Sequence, residues 1–175
     1  MRIKLWMIGL LTFSLMGCQK DSWQKFSSEE GAFSIKLPGA PLEQVATVDT
    51  DAGPVEFHLF ILDTFGRDGI AYTVAYSDYP DSVIQAGAPD SIFNEVRDRA
   101  LAKLQGELTS DLEVTLGEHP GREIRIQTTD GEFYIDFHLY MVGTRFYQVI
   151  VETHRDKSTS PEIQKCFDSF KLIET

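Results

Sequence analysis

The stretch Glu132-Phe-Tyr-Ile-Asp-Phe-His-Leu-Tyr-Met-Val142, Gly143-Thr144, Arg145-Phe-Tyr-Gln-Val-Ile-Val-Glu-Thr153 decides the fold. Both flanking runs are rich in β-branched and aromatic residues, and the Gly-Thr between them is a short hairpin connection. Phe137-His-Leu-Tyr-Met-Val142 and Phe146-Tyr-Gln-Val-Ile-Val151 are apolar at most positions rather than at every second one. A strand of that kind has to be covered on both faces. The pair therefore reads as the centre of a three-layer sandwich.

Asp130-Gly131 links the pair to a strand over Arg122 to Thr128, preceded by one over Leu112 to Leu116. Ahead of these lies a helix, with Asp90 or Ser91 as its N-cap, an apolar stripe of Ile92, Phe93, Val96, Ala100 and Leu104, and Gly106 as its stop. Its outer face carries Glu95, Arg97, Asp98, Arg99 and Lys103. Val55 to Leu62 and Ile70 to Tyr76 form a further hairpin around Phe65-Gly-Arg-Asp-Gly69. Trp23 to Phe26 and Phe33 to Leu37 alternate as strands, the second ending at Pro38-Gly39, and Leu42 to Thr50 shows a weaker pattern. Ser160-Pro161 opens a last helix whose Ile163, Cys166, Phe167 and Phe170 share one face. Hairpin links dominate and parallel crossovers are scarce. The expected fold is α+β, a central antiparallel sheet of about six to seven strands with helices packed on it in an α/β/α sandwich. Residues 23–175 form one domain, without repeats or low-complexity tracts.

Of the 175 residues, 42% are hydrophobic and 25% charged, with 27 acidic against 16 basic side chains and a net charge of −11. This composition belongs to a globular chain and not to a disordered one. The acidity opposes nucleic-acid binding, which relies on Lys and Arg to neutralise phosphates. It equally opposes electrostatic adhesion to anionic lipid.

The N-terminus is an address. Arg2 and Lys4 precede the uncharged run Leu5 to Met16, which as a helix covers roughly 18 Å of a hydrocarbon core about 30 Å thick. It reads as a signal peptide over residues 1–17. Leu15-Met16-Gly17-Cys18 resembles the lipobox of bacterial lipoproteins, with Met16 in place of the usual Ala or Ser. The resemblance implies that Cys18 becomes the first mature residue, carrying a diacylglycerol thioether and an amide-linked acyl chain such as palmitate. Residues 18–22 would then be a lipidated tether to the exported face of a bacterial membrane, and Gln19 does not give the inner-membrane retention signal. The alternative is a secreted chain in which Cys18 pairs with Cys166. If Cys18 is acylated, Cys166 is expected as a small core hydrophobe, its other role being a reactive thiol.

Phe26-Ser-Ser-Glu-Glu-Gly-Ala-Phe-Ser-Ile-Lys-Leu-Pro-Gly-Ala-Pro41, Gly117-Glu-His-Pro-Gly-Arg-Glu-Ile124, Tyr140-Met-Val-Gly-Thr-Arg-Phe-Tyr-Gln148 and Cys166-Phe-Asp-Ser-Phe170 resemble a group of small, uncharacterised bacterial lipoproteins. That group is similar in architecture to the PsbP-like α/β/α sandwich. The resemblance implies a fold and an accessory role at a membrane complex, and it carries over no functional contact.

No Gly-x-Ser-x-Gly, Walker or dinucleotide fingerprint occurs. His58, His119, His138 and His154 are scattered; His58 and His138 lie inside strands and could hold a metal only by meeting on one sheet face, and packing is favoured over ligation. Asp49 and Asp51 read as a solvated turn rather than a Ca²⁺ loop. The segment Gly117 to Glu123 places Glu118, His119, Arg122 and Glu123 near one another, either to grip a carboxylate or as a turn at Pro120-Gly121 with Arg122 paired locally. Tyr76, Tyr134, Tyr140 and Tyr147 are core candidates that could instead make a binding face. No catalytic, cofactor or metal residues are assigned, and Cys18 is the one site residue. The expected function is a non-enzymatic accessory or assembly module acting through protein contacts, with membrane contact through lipid and no nucleic acid. The alternatives are a carrier of a small apolar ligand and, behind it, an unrecognised hydrolase.

Overall fold

The computed structural model describes residues 23–50, 53–87 and 89–173. The expected signal peptide and tether, with Cys18, and Asp51 lie outside the described residues.

In chain order the elements are β1 (Gln24–Ser28), β2 (Phe33–Leu37), β3 (Leu42–Thr50), β4 (Gly53–Asp63), the short α1 (Phe65–Asp68), β5 (Ile70–Asp78), α2 (Asp81–Gly87) and α3 (Pro89–Leu104). Then come β6 (Gly106–Leu116), β7 (His119–Thr128), β8 (Phe133–Val142), β9 (Arg145–His154), α4 (Pro161–Asp168) and β10 (Lys171–Leu172). Seven strands form one antiparallel sheet in the order β3-β4-β5-β9-β8-β7-β6. The expected central sheet is thus present, and the β8–β9 hairpin lies inside it as the doubly apolar runs require.

The first hairpin does not join that sheet. β1 and β2 pair with each other and β10 closes on β2, giving a separate three-stranded sheet. This small sheet and α4 make one outer layer of the sandwich, so that layer is part sheet and part helix. Phe33, Ile35, Leu37, Cys166, Phe167 and Phe170 press from it onto Phe60, Tyr72, Val74, Tyr147, Val149 and Val151 of the large sheet. Phe33, fully buried, meets the rings of Phe26, Phe60, Tyr76, Tyr147 and Phe170 at centroid separations of 5.5–6.5 Å. Its layer is closed by the Tyr147 hydroxyl, which donates to the Gly31 carbonyl at 2.8 Å.

The opposite face is covered by α2 and α3, with Ile92 and Phe93 buried against Ile124, Ile126, Leu139, Met141 and Phe146. The predicted stripe holds, with Val96, Ala100 and Leu104 partly buried along it. Two details differ from expectation. α3 begins at Pro89, so Asp90 and Ser91 sit in its first turn rather than capping it. The left-handed residue after the helix is Gln105 (φ 48°), while Gly106 already belongs to β6. Glycine is needed there because a Cβ would stand 2.5 Å from Ile126 Cγ2.

Candidate functional site

Residue parity along the strands distributes the sequence candidates over both faces of the large sheet. On the face under the small sheet, His58, Tyr76, Tyr147 and Tyr140 stand side by side in successive strands. Gly121 is next in the row, and a Cβ there would come 2.5 Å from the Tyr140 ring and 2.6 Å from the Leu139 carbonyl oxygen. Pro120-Gly121 is therefore a stretch of β7 and not a turn; the turn is Gly117-Glu118. Tyr76, Tyr140 and Tyr147 are buried and Tyr134 half-buried beneath Arg125, whose guanidinium lies 4.7 Å from its ring centroid. These tyrosines build core and make no open binding face.

His58 and His138 share this face but do not meet, because β5 and β9 stand between their strands. His58 stacks on Tyr76 at 4.6 Å and pairs with Glu56. His138 stacks on Phe167 of α4 at 3.7 Å, with Nε2 3.5 Å from Glu123 and Nδ1 3.2 Å from the Tyr140 hydroxyl. Desolvation beneath α4 pushes its pKa down to about 4. His154 lies elsewhere, between Glu132 and Asp156, and His119 starts β7.

Glu123, Arg125, Asp136 and His138 line a recess of about 220 Å³ beside α4, with Ser110 and Gln164 at its rim. The Asp136 carboxyl is buried and its Oδ2 accepts no hydrogen bond, so burial pushes its pKa up to about 6; Arg125 Nε, 3.6 Å from Oδ1, works in the other direction without overcoming it. The recess brings a histidine, carboxylates and a hydroxyl together, as a hydrolytic site would. His138 nevertheless has both ring nitrogens beside Glu123 and Tyr140, and Ser110 makes no hydrogen bond to it. No activated nucleophile results. Among the described residues, no group of three or more His, Cys, Asp or Glu is placed to hold a metal ion.

Glu118, His119, Arg122 and Glu123 are not assembled into one cluster. Arg122 and Glu123 are neighbours in a strand and point to opposite faces. Arg122 is buried under α3, donating to Asp90 Oδ1 and Asn94 Oδ1 at 2.9 Å, with Asp111 Oδ1 3.6 Å from Nε. Arg97 joins the same set through Asn94 and Asp111. The local pairing expected of Arg122 is thus replaced by a lattice that fastens α3 to β6 and β7, reaching residues that sequence proximity could not indicate. Cys166 is fully buried, and desolvation pushes its thiol up to about 12, which fits the core role and removes thiolate reactivity.

Sequence reasoning missed an apolar opening on the α3 side of the large sheet. α3 covers β6, β7 and part of β8, but one helix about 10 Å across spans only about two strands spaced near 4.8 Å. Beside it runs an open trough of about 700 Å³, floored by Leu59, Thr73, Ala75, Gln148 and Ile150 and walled by Ala46 and Val48 of β3 and by Val96, Ala100 and Lys103 of α3. Small residues in β5 give the floor its depth. Arg99 reaches from α3 to the Asp49 carbonyl at 2.6 Å and ties the helix to the end of β3. The available signal was the weak alternation of Leu42 to Thr50, which fits an edge strand exposed on both faces. Among the described residues, no helix is long and apolar enough to cross a membrane.

The sequence matches no protein-family model and no curated protein. Among solved structures, the chain is similar to the solution structure of cyanobacterial PsbP (CyanoP) from Synechocystis sp. PCC 6803, with a TM-score of 0.59 and 14% identity over 89% of this chain and 95% of that one. It is also similar to PA94, a protein of unknown function from Pseudomonas aeruginosa, with a TM-score of 0.43 and 11% identity over 87% of this chain and 99% of that one. At 14% identity the likeness to the cyanobacterial structure speaks for fold alone. The described domain has a PsbP-like fold.

Proposed function

We propose that the protein is a non-enzymatic accessory or assembly module, held by lipid on Cys18 at the extracytoplasmic face of a bacterial membrane and acting through protein contacts. The observation that carries this reading is the apolar trough between α3 and β3, a partly covered sheet face of the kind that marks an interaction surface. The lipobox-like Leu15-Met16-Gly17-Cys18 supports the tether. The strong acidity keeps the domain off anionic headgroups, so membrane residence depends on the lipid. The arrangement of His138, whose ring nitrogens face Glu123 and the Tyr140 hydroxyl rather than Ser110, supports binding over hydrolysis.

Cell fractionation of Cys18→Ala tests the tether: release into the soluble exported fraction is expected, and continued membrane residence refutes it. Crosslinking from Ala100→Cys, with Ala100→Glu as the blocking variant, tests the trough. A partner captured by the first and lost with the second is expected, while an unchanged capture pattern places the contact elsewhere. The second reading, a carrier of a small apolar ligand, is favoured by the trough's ligand-sized volume and its floor of small residues. Stabilisation of the purified protein by long-chain fatty acids, abolished by Ala75→Phe, is its measure.

A further inference from the structure

The large sheet ends in two unlike edges. β6 exposes two leucines, Leu108 to 43% and Leu112 to 56%, but a register shift between Leu108 and Ser110 interrupts the strand between them, a feature that blunts an edge against pairing. β3 has no such shift; it pairs with β4 in continuous register from Leu42 to Thr50, and its outer side pairs with no strand among the described residues. Leu42, Val45 and Val48 on it are exposed to 71%, 55% and 40%.

These three residues are equally spaced, which makes the strand self-complementary. With an antiparallel copy centred on Val45, Leu42 falls opposite Val48, Val45 opposite Val45, Glu43 opposite Thr47 and Gln44 opposite Ala46. Each exposed apolar side chain then meets another, and the single charge of the stretch meets a hydroxyl. Centring on Ala46 instead sets Glu43 against Asp49, two like charges across the pair. The free stretch also stops where this register stops, since the Asp49 carbonyl is held by Arg99.

We infer that β3 pairs with β3 of a second copy, antiparallel about Val45, and joins the two seven-stranded sheets into one. The two-fold axis stands perpendicular to the sheet, so both α3 helices lie on the same side. Leu42 of the second copy comes beside Val48 and extends the wall of the trough, which a lone chain leaves one strand thick. The pairing concerns the edge and stands whether the trough holds a protein or an apolar ligand. Because both copies are strongly acidic, added salt strengthens it.

Cysteine pairing in the full-length, membrane-extracted protein tests the register. Directly opposed residues of antiparallel strands have Cβ atoms about 4.5–5.5 Å apart, close to what a disulfide needs. Val45→Cys alone is expected to give a disulfide-linked dimer. Leu42→Cys and Val48→Cys are each expected to stay monomeric alone and to crosslink when mixed. The parent chain sets the background, with Cys166 buried. Absence of a Val45→Cys dimer, or equal dimerisation by Leu42→Cys alone, overturns the inference. A Val45→Cys adduct to a different protein also overturns it while leaving the docking reading intact, whereas a homodimer that captures nothing through the trough does the reverse. Sedimentation of Val45→Glu provides a second readout: a folded monomer is expected beside a parent dimer that tightens with salt, and a parent that sediments as a monomer at all concentrations refutes the pairing.

Discussion

The two faces of the large sheet are built from alternate residues of the same strands, yet they end in different states. Phe60 and Leu59 are adjacent in β4; Phe60 is sealed beneath the small sheet among aromatic rings, and Leu59 lies in the floor of the trough. The difference is one of cover. A three-stranded sheet plus a helix is broad enough to close one face, whereas α3 and the short α2 leave part of the other bare. Where the cover is complete the residues serve stability, and where it stops the surface is available for binding.

The largest test of this contrast is the adjacent pair itself. Phe60→Ala is expected to lower unfolding free energy by about 3–5 kcal/mol and Leu59→Ala by about 1–2 kcal/mol in urea titrations, because only the first leaves a closed cavity. Equal losses would mean that the two faces are covered alike. Gly121→Ala comes next, at about 1–3 kcal/mol, since its methyl group drives into the Tyr140 ring and the Leu139 carbonyl and the sealed face has no room to yield.

The pH dependence sharpens the contrast at the boundary of the sealed face. His138, with its pKa pushed down to about 4, binds a proton less readily folded than unfolded, so its contribution is present above about pH 6.5 and lost as pH falls toward 4. Asp136, pushed up to about 6, has the opposite sign: the folded state holds its proton, and stability declines as pH rises from about 4 through 6. The two oppose each other in one recess. Relative to the parent, Asp136→Asn is expected to lose about 1–2 kcal/mol between pH 6 and 4, and His138→Phe to gain a similar amount. Parallel pH profiles for both variants and the parent refute this assignment. The smallest effect is expected at the open rim, where Lys103 is exposed on the helical wall and Lys103→Ala stays within about 0.5 kcal/mol of the parent in the same titration.

The strands and helices were legible where burial imposes a period, as in β8, β9 and the α4 face of Ile163, Cys166 and Phe167. β6 was read from Leu112 although it starts at Gly106, because its register shift and exposure erase the alternation. That β1 and β2 leave the large sheet was not legible, since their partner β10 lies at the far end of the chain and pairing choice is tertiary. The same holds for Arg122, whose partners on α3 are 28 and 32 residues away. That His58 and His138 share a face follows from the pairing registers, and the strand order puts β5 and β9 between them; neither can be read from one strand. The trough follows from how few strands one helix covers, a count that no single segment contains.

β10 has a bearing on how the chain acquires its shape. The Ile173 amide donates to the Ala32 carbonyl at 2.8 Å, and Leu172 lies opposite Phe33, so the first strands and the last are stitched together. A chain synthesised from its N-terminus therefore presents the β1–β2 hairpin early and its closing strand last. Throughout that interval Phe33 lacks Phe170 above it, and the sealed face is the half of the core that depends on late arrival. The α3 side, assembled from segments nearer in sequence, has no comparable wait. Any pause before Pro161 prolongs the time in which aromatic surface meets water or a chaperone, which makes the most stable face of the finished molecule the most vulnerable one during its production.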